Sequence, residues 1–240
     1  MAWKLSRDSR VSARAFERQM SNWELARRQR RERPAARAEV EDFITISRQV
    51  GVPAERVAEA LGKRFGWPVF GRSLLEAMAG DDDVRHRIYR SMDERDLHWW
   101  EEALRGLLEG DFNVNDYFHR LSHTVLSLAR QSPCIFVGRG CDFILPRHLG
   151  LRIRLVSPLE PRIATIVEDR GLGRAEALRE LERVQVERRD FLHHHFGERA
   201  DDPARSDLTI NLGRFSADGV IELILEAIAN RPERPIAAAS

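Results

Sequence analysis

The chain has little cysteine: only Cys134 and Cys141, seven positions apart on either side of Gly138-Arg139-Gly140. Neither the number nor the spacing suggests a disulfide framework or a zinc site, and a reducing compartment, the cytoplasm, is the simplest reading. Long apolar runs are absent too. No stretch approaches the roughly 18–20 residues a membrane helix needs, so no membrane partner is expected. The N-terminus lacks the apolar segment of a secretory signal. Its arginines have something of a transit peptide, but its acids argue against one. Net charge is nearly absent as well, at +1, which leaves no overall field to steer the molecule to nucleic acid or a membrane surface. The body contains no internal repeat and no low-complexity segment.

What is present is the composition of a globular protein, 42% hydrophobic and 32% charged over 240 residues. That is enough for one domain of ordinary size with an appendage. The small net charge conceals an asymmetry. Residues 1–40 carry Lys4 and ten arginines against Asp8, Glu17, Glu24, Glu32 and Glu39, a surplus of six positive charges, and the remainder is five negative. Phe16, Met20 and Trp23 fall on one helical stripe beside Arg27-Arg28-Gln29-Arg30-Arg31, and Pro34 stops the helix. We read residues 1–40 as a basic helical arm that packs on the body, a second copy or a protein partner, with nucleic acid the less favoured occupant. The domain then spans 41–232, and 233–240 form a flexible Pro- and Ala-rich tail.

From Phe43 onward short apolar runs alternate with helical patterns. Strands are expected at 43–47, 67–70, 134–137, 151–156 and 208–211. Helices are expected after Pro53 (stripe Val57, Leu61, Phe65, ending at Gly66), at 72–79, from Asp81 toward Glu109, and over 115–130 with Phe118, Leu121, Val125 and Leu128 on one side. Further helices are expected at 160–169, 174–196 and 217–230, the last with Val220, Leu223, Ile224 and Ile228 on one face. Such alternation builds an α/β fold, a parallel sheet covered on both faces. Ligands there sit at the carboxyl ends of the strands, so the loops after Ile46, Val137 and Val156 are where chemistry is sought.

The first of these loops, Ser47 to Arg56, lies where a phosphate loop would lie, between the first strand and the first helix. A phosphate loop needs glycines so that backbone N–H groups converge on phosphate, a lysine for the terminal phosphates, and a hydroxyl for magnesium. Here only Gly51 remains. Pro53, which has no N–H, takes the second glycine position, Ala54 that of the lysine and Glu55 that of the hydroxyl. The place still sets a helix N-terminus beside the sheet, with Arg48 and Arg56 as sources of positive charge. The alternative is a plain strand–helix connection. The second loop, Gly138-Arg139-Gly140-Cys141-Asp142, puts an arginine between glycines directly after a buried strand. Its guanidinium can grip a carboxylate or phosphate through two parallel hydrogen bonds, or pair internally with an acid such as Asp142. The third cluster follows Ser157-Pro158, where Arg162, Arg170, Arg183 and Arg188 either surround a migrating phosphoryl group or form a solvated, salt-bridged helix face. His193-His194-His195 point about 100° apart on a helix and cannot converge on one metal. They read as surface or packing residues, and no metal site is assigned.

Three segments together carry a resemblance: Ile44-Thr45-Ile46-Ser47-Arg48-Gln49 before a glycine-containing turn, Val137-Gly138-Arg139-Gly140 followed by Asp142-Phe143-Ile144-Leu145, and Pro158-Leu159-Glu160 with Arg162-Ile163. The chain resembles, over about residues 43 to 230, the cytidylate kinase-like family within the P-loop nucleoside monophosphate kinases. The resemblance implies a P-loop NTPase-type three-layer fold with a five-stranded parallel sheet, a helical monophosphate-binding insertion at 71–130 and a mobile lid near 171–200. It also implies phosphoryl transfer from ATP with Mg2+ to a nucleoside monophosphate such as CMP. Arg139 with Gly138 and Asp142 matches the acceptor-nucleotide side, Arg162 and Arg188 match arginines around the phosphates, and Arg48, Gly51 and Arg56 fall at the phosphate loop. Family members usually read Gly-Ser-Gly-Gly-Arg there. This chain reads Gly51-Val52-Pro53-Ala54-Glu55, a degenerate phosphate loop, and the competing expectation is a non-catalytic relative that binds a nucleotide or a protein partner.

Overall fold

The computed structural model describes residues 21, 40–80 and 116–231. The strands are β1 (Phe43–Arg48), β2 (Val69–Phe70), β3 (Cys134–Val137), β4 (Leu151–Val156) and β5 (Leu208–Asn211). The α-helices among the described residues are α1 (Ala54–Phe65), α2 (Arg72–Gly80), α3 (Asp116–Gln131), α4 (Cys141–Ile144), α5 (Leu159–Arg170), α6 (Arg174–Phe196) and α7 (Ala217–Ala229). All strand pairs are parallel, in the order β2-β3-β1-β4-β5. The sequence arm, the helix expected from Asp81 toward Glu109 and the tail lie outside the described residues, apart from Ser21 and Val40 of the arm.

The strands are near-continuous apolar runs because both faces of the sheet are covered. Alternation sends Phe43, Phe70 and Phe136 to one face, where they pack with Phe118, Leu121, Val125 and Phe196. Ile44, Ile46, Ile135, Val137, Ile153 and Leu155 go to the other, against Val57 and Leu61 of α1 and Val220 and Ile224 of α7. A third, smaller core joins Val50 of the first loop to Ile163 and Ile166 of α5 and Ala177 and Leu181 of α6. α1 ends where Gly66 turns left-handed (φ 70°) and its N–H returns to the Gly62 carbonyl.

Two expectations are corrected. The second strand is only Val69–Phe70, since Pro68 has no N–H to give to a ladder. Leu223 is 40% exposed. At about 100° per residue it falls on the far side of Val220 from Ile224, Ile221 and Ile228, and those four are residues that α7 packs into the core on that face of the sheet. The single turn α4 and the 3-10 turns at Gly197–Asp201 and Pro203–Arg205 are additions that the apolar pattern does not announce.

Candidate anion-binding site

β1 and β3 are neighbours, with Ile46 opposite Val137, so the two glycine-containing loops leave the sheet side by side. The Gly138 N–H donates to the Ile46 carbonyl at 3.0 Å. Gly138 (φ 77°) has no side chain where the Arg48 guanidinium lies. Arg139 itself sits at φ 57°, a left-handed conformation that disfavours a Cβ-bearing residue by roughly 1–2 kcal/mol.

Four arginines from four elements share this region. Arg48 at the end of β1 donates to Glu55 Oε1 at 2.5 Å. Arg188 of α6 donates to the Arg48 carbonyl at 2.6 Å. Arg139 forms an ion pair with Glu76 of α2 and lies 5.4 Å from the centre of the Phe191 ring. Arg72, at the start of α2, reaches the same Glu76 at 3.4 Å. Burial, then the neighbouring charges of Arg72, Arg188 and Arg48, lowers Arg139 to about 10. Arg188 is lowered to about 10 by burial and by Arg48 and Arg72, with Glu55 opposing. Mutual repulsion of this kind is what a bound anion would relieve. A cavity of about 210 Å³ opens here, lined among others by Arg48, Gly51, Pro53, Glu55, Arg72 and Arg188.

The first loop is tied down from within. Gln49 N–H donates to the Leu155 carbonyl at 3.1 Å, Val52 N–H to Gln49 O at 3.3 Å and Ala54 N–H to Val52 O at 2.8 Å. Val50 N–H faces Gln185 Oε1 of α6 at 3.4 Å. Gly51 (φ 81°) packs so closely on α5 that a Cβ would lie 2.5 Å from the Arg162 carbonyl oxygen.

The sequence-derived residues therefore separate. Arg48, Gly51 and Arg188 line the cavity, and Arg139 joins them through the Arg72–Glu76 pair. Arg162 is turned to the loop instead: it is 9% exposed, its Nε donates to the Val50 carbonyl at 2.7 Å, and burial lowers its pKa. Arg56 is exposed on α1 and is not among the cavity's lining residues. Asp142 is not Arg139's partner. Its carbonyl accepts from Arg152 and Arg205, and burial raises its carboxyl pKa against the pull of Arg205, Arg152 and Arg154. Arg72 and Glu76 were missed. The loop after Phe70 also leaves a strand's carboxyl end, and the i,i+4 spacing of Arg72 and Glu76 at a helix start was the available signal. In the histidine run, His195 is buried and stacks on Phe118 at 4.9 Å, while His193 lies 2.9 Å from Asp201. Among the described residues no cluster of acids, histidines and cysteines could hold a metal, and no helix is long and apolar enough to cross a membrane.

The fold is thus an α/β parallel five-stranded sheet with an arginine-rich cavity beside the carboxyl ends of its strands. The sequence profile of the cytidylate kinase-like family matches residues 43–214, and the chain belongs to that family. A comparison with curated proteins gives no match. Among solved structures, the chain is similar to an uncharacterized protein from Eubacterium ventriosum, at 17% identity and a TM-score of 0.60, covering 80% of this chain and 100% of that one. A shikimate kinase from Acinetobacter baumannii, in complex with shikimate, matches at 14% identity and a TM-score of 0.43, covering 81% of this chain and 97% of that one.

Proposed function

We propose that this nucleotide kinase-like protein binds the phosphate of a nucleoside monophosphate, CMP foremost, in the Arg48–Arg72–Arg139–Arg188 cluster, and has little or no ATP-dependent kinase activity. The observation that carries the first half is the convergence of four guanidiniums beside a cavity. A phosphate dianion offers three acceptor oxygens to such a group, and arginine meets them with paired donors. The second half rests on the first loop, whose residues do not fit ATP with magnesium. Four of its amides are bonded inside the protein, Pro53 has none, and the position of the magnesium hydroxyl holds Glu55, which is occupied with Arg48. This favours the reading of a nucleotide-binding relative over that of an efficient enzyme.

Titration calorimetry with CMP and with ATP–Mg tests both halves: CMP should bind and ATP–Mg should not, and the reverse would overturn the assignment. Arg139→Gly sharpens it. Glycine accepts φ 57° without strain, so the melting temperature should hold or rise, whereas CMP should bind at least about tenfold more weakly through loss of a charge-assisted contact. A destabilised variant with intact CMP binding would make Arg139 a structural residue.

The N-terminal arm is proposed as an association element, because its Phe16, Met20 and Trp23 stripe needs cover. Removing residues 1–40 should change the oligomeric state read by light scattering, or the solubility, while the domain still unfolds cooperatively. An unchanged number of subunits and an unchanged melting curve would count against the idea.

A further inference from the structure

Arg139 holds the position between two glycines at the end of β3, yet it is not among the residues that line the cavity. Its guanidinium is engaged by Glu76, and its Nε is buried with no hydrogen-bond partner among the described residues. Glu76 also meets Arg72, which does line the cavity. The Glu76 side chain is 38% exposed, whereas that of Arg139 is 15% exposed. A well-buried cation is thus capped by a carboxylate at the surface.

We propose that Glu76 is an internal anion competing for Arg139, so that a phosphate monoester enters the arginine cluster by displacing this carboxylate. The inference rests on the monophosphate reading above and adds to it what sets the affinity. Two features make Glu76 the displaceable acid. Its side chain is 38% exposed, and ion pairs of that kind are weak, a property that Glu55 shares at 50%. It also projects from the middle of α2, outside the first turn, so the helix dipole does not hold it. Glu55 differs: it lies in the first turn of α1, where a negative charge is favoured by the helix dipole, and it bonds Arg48 at 2.5 Å. With Glu55 in place and Glu76 displaced, Arg48, Arg72, Arg139 and Arg188 keep a surplus of three positive charges, enough to hold a phosphate monoester dianion. A phosphodiester, with one negative charge and fewer free oxygens, lacks the charge to compete with Glu76. Displacement also gives the orphaned Nε of Arg139 the chance of a partner, since a guanidinium released from Glu76 can present Nε and Nη together to two oxygens.

The test compares the full-length parent with Glu76→Gln by calorimetry, using CMP, inorganic phosphate and cytidine as probes. Glutamine keeps the shape and removes the competing charge. Glu76→Gln should bind CMP and phosphate about two- to fivefold more tightly, as expected for loss of a weak competing pair. Cytidine, which has no phosphate, should show no change. Adding Arg139→Gly to Glu76→Gln should abolish the gain, which a merely structural role of Glu76 would not predict. If the parent binds CMP and folded Glu76→Gln binds it no better, the competition is refuted and the monophosphate reading stands. If neither protein binds CMP or phosphate, the monophosphate reading itself fails, and the competition with it. Should Glu76→Gln not fold, Glu76→Asp, whose shorter carboxylate draws back from Arg139, should show a smaller gain in the same direction, and no gain there would equally refute the proposal.

Discussion

Arg152→Met is expected to lower the unfolding free energy by about 3–5 kcal/mol, the range for breaking a buried charged network. Arg152 is 1% exposed and is among the largest fully buried side chains of the protein. Its five N–H donors meet five carbonyls, all in the segment from α4 to the start of β4. Nε donates to Asp142 at 3.2 Å, Nη1 to Arg147 at 3.3 Å and Leu149 at 2.8 Å, and Nη2 to Leu145 at 2.8 Å and Pro146 at 2.7 Å. A guanidinium has no other donor to give. The Phe43 ring lies 5.4 Å away. Burial, then Arg147, lowers Arg152 to about 10, with Asp207 and Asp142 opposing, so it stays charged at neutral pH.

Methionine fills much of the volume but leaves five acceptors behind, of which those of Leu145 and Leu149 lie in buried bonds. Each buried unsatisfied group costs roughly 1–3 kcal/mol, moderated by relaxation and water. Arg152→Lys, with three donors on a single nitrogen, should recover only part of the loss. Urea denaturation reads both variants. A loss under about 1 kcal/mol for Arg152→Met would mean that the 142–149 segment holds its shape without the guanidinium.

Nothing in the sequence singled out Arg152. It lies in Leu151-Arg152-Ile153-Arg154-Leu155-Val156, where alternation puts Arg152 and Arg154 on the same face. Arg154 is nonetheless exposed and Arg152 is not. The difference comes from the 142–149 segment folding over one end of β4, a long-range event that a period-two pattern does not encode. The strands at 134–137, 151–156 and 208–211 and the helix at 174–196, by contrast, have the boundaries their apolar runs and flanking Gly, Pro and Ser residues predict. Local physics fixes them: a strand buried on both faces must be apolar throughout, and a left-handed glycine ends a helix wherever it occurs.

The candidate site divides along the same line. Arg48 and Arg139 were legible because each follows a strand at its carboxyl end, where the parallel fold places ligands. Glu76 was not, because its partner is 63 positions away and the pair exists only after β2 and β3 align. The role of Arg162 was hidden for a similar reason. Its charge suggested phosphate, whereas its hydrogen bond goes to a carbonyl 112 positions earlier.

The purified chain should show little or no turnover in a coupled assay for ADP with CMP, UMP, AMP and GMP as acceptors. Phosphoryl transfer depends on preorganised positive charge and N–H donors around the migrating group. Loss of one such donor typically costs about 10²–10³ in rate, and this loop lacks several. The Ala54 and Val52 amides are spent on Val52 and Gln49 carbonyls, Pro53 has no amide, and no lysine stands at the position of Ala54. Glu55 adds negative charge at the mouth of the cavity and occupies Arg48. Arg48 could neutralise a phosphate only by leaving Glu55, and even then it would not replace the missing backbone cradle. Rebuilding the loop with Val52→Ser, Pro53→Gly, Ala54→Gly and Glu55→Arg should reverse these defects together. It supplies an N–H at position 53, frees the turn from its fixed proline φ, and turns a negative charge positive beside Arg48. The expected result is ATP–Mg binding at least about tenfold tighter than in the parent, one charge-assisted contact or more, with CMP binding retained. The close seat of Gly51 against Arg162 sets the limit, because α5 still walls the loop, so the gain in binding should exceed the gain in turnover. Robust turnover by the unmodified chain would defeat this account and would require that the ATP phosphates be held by groups other than the first loop.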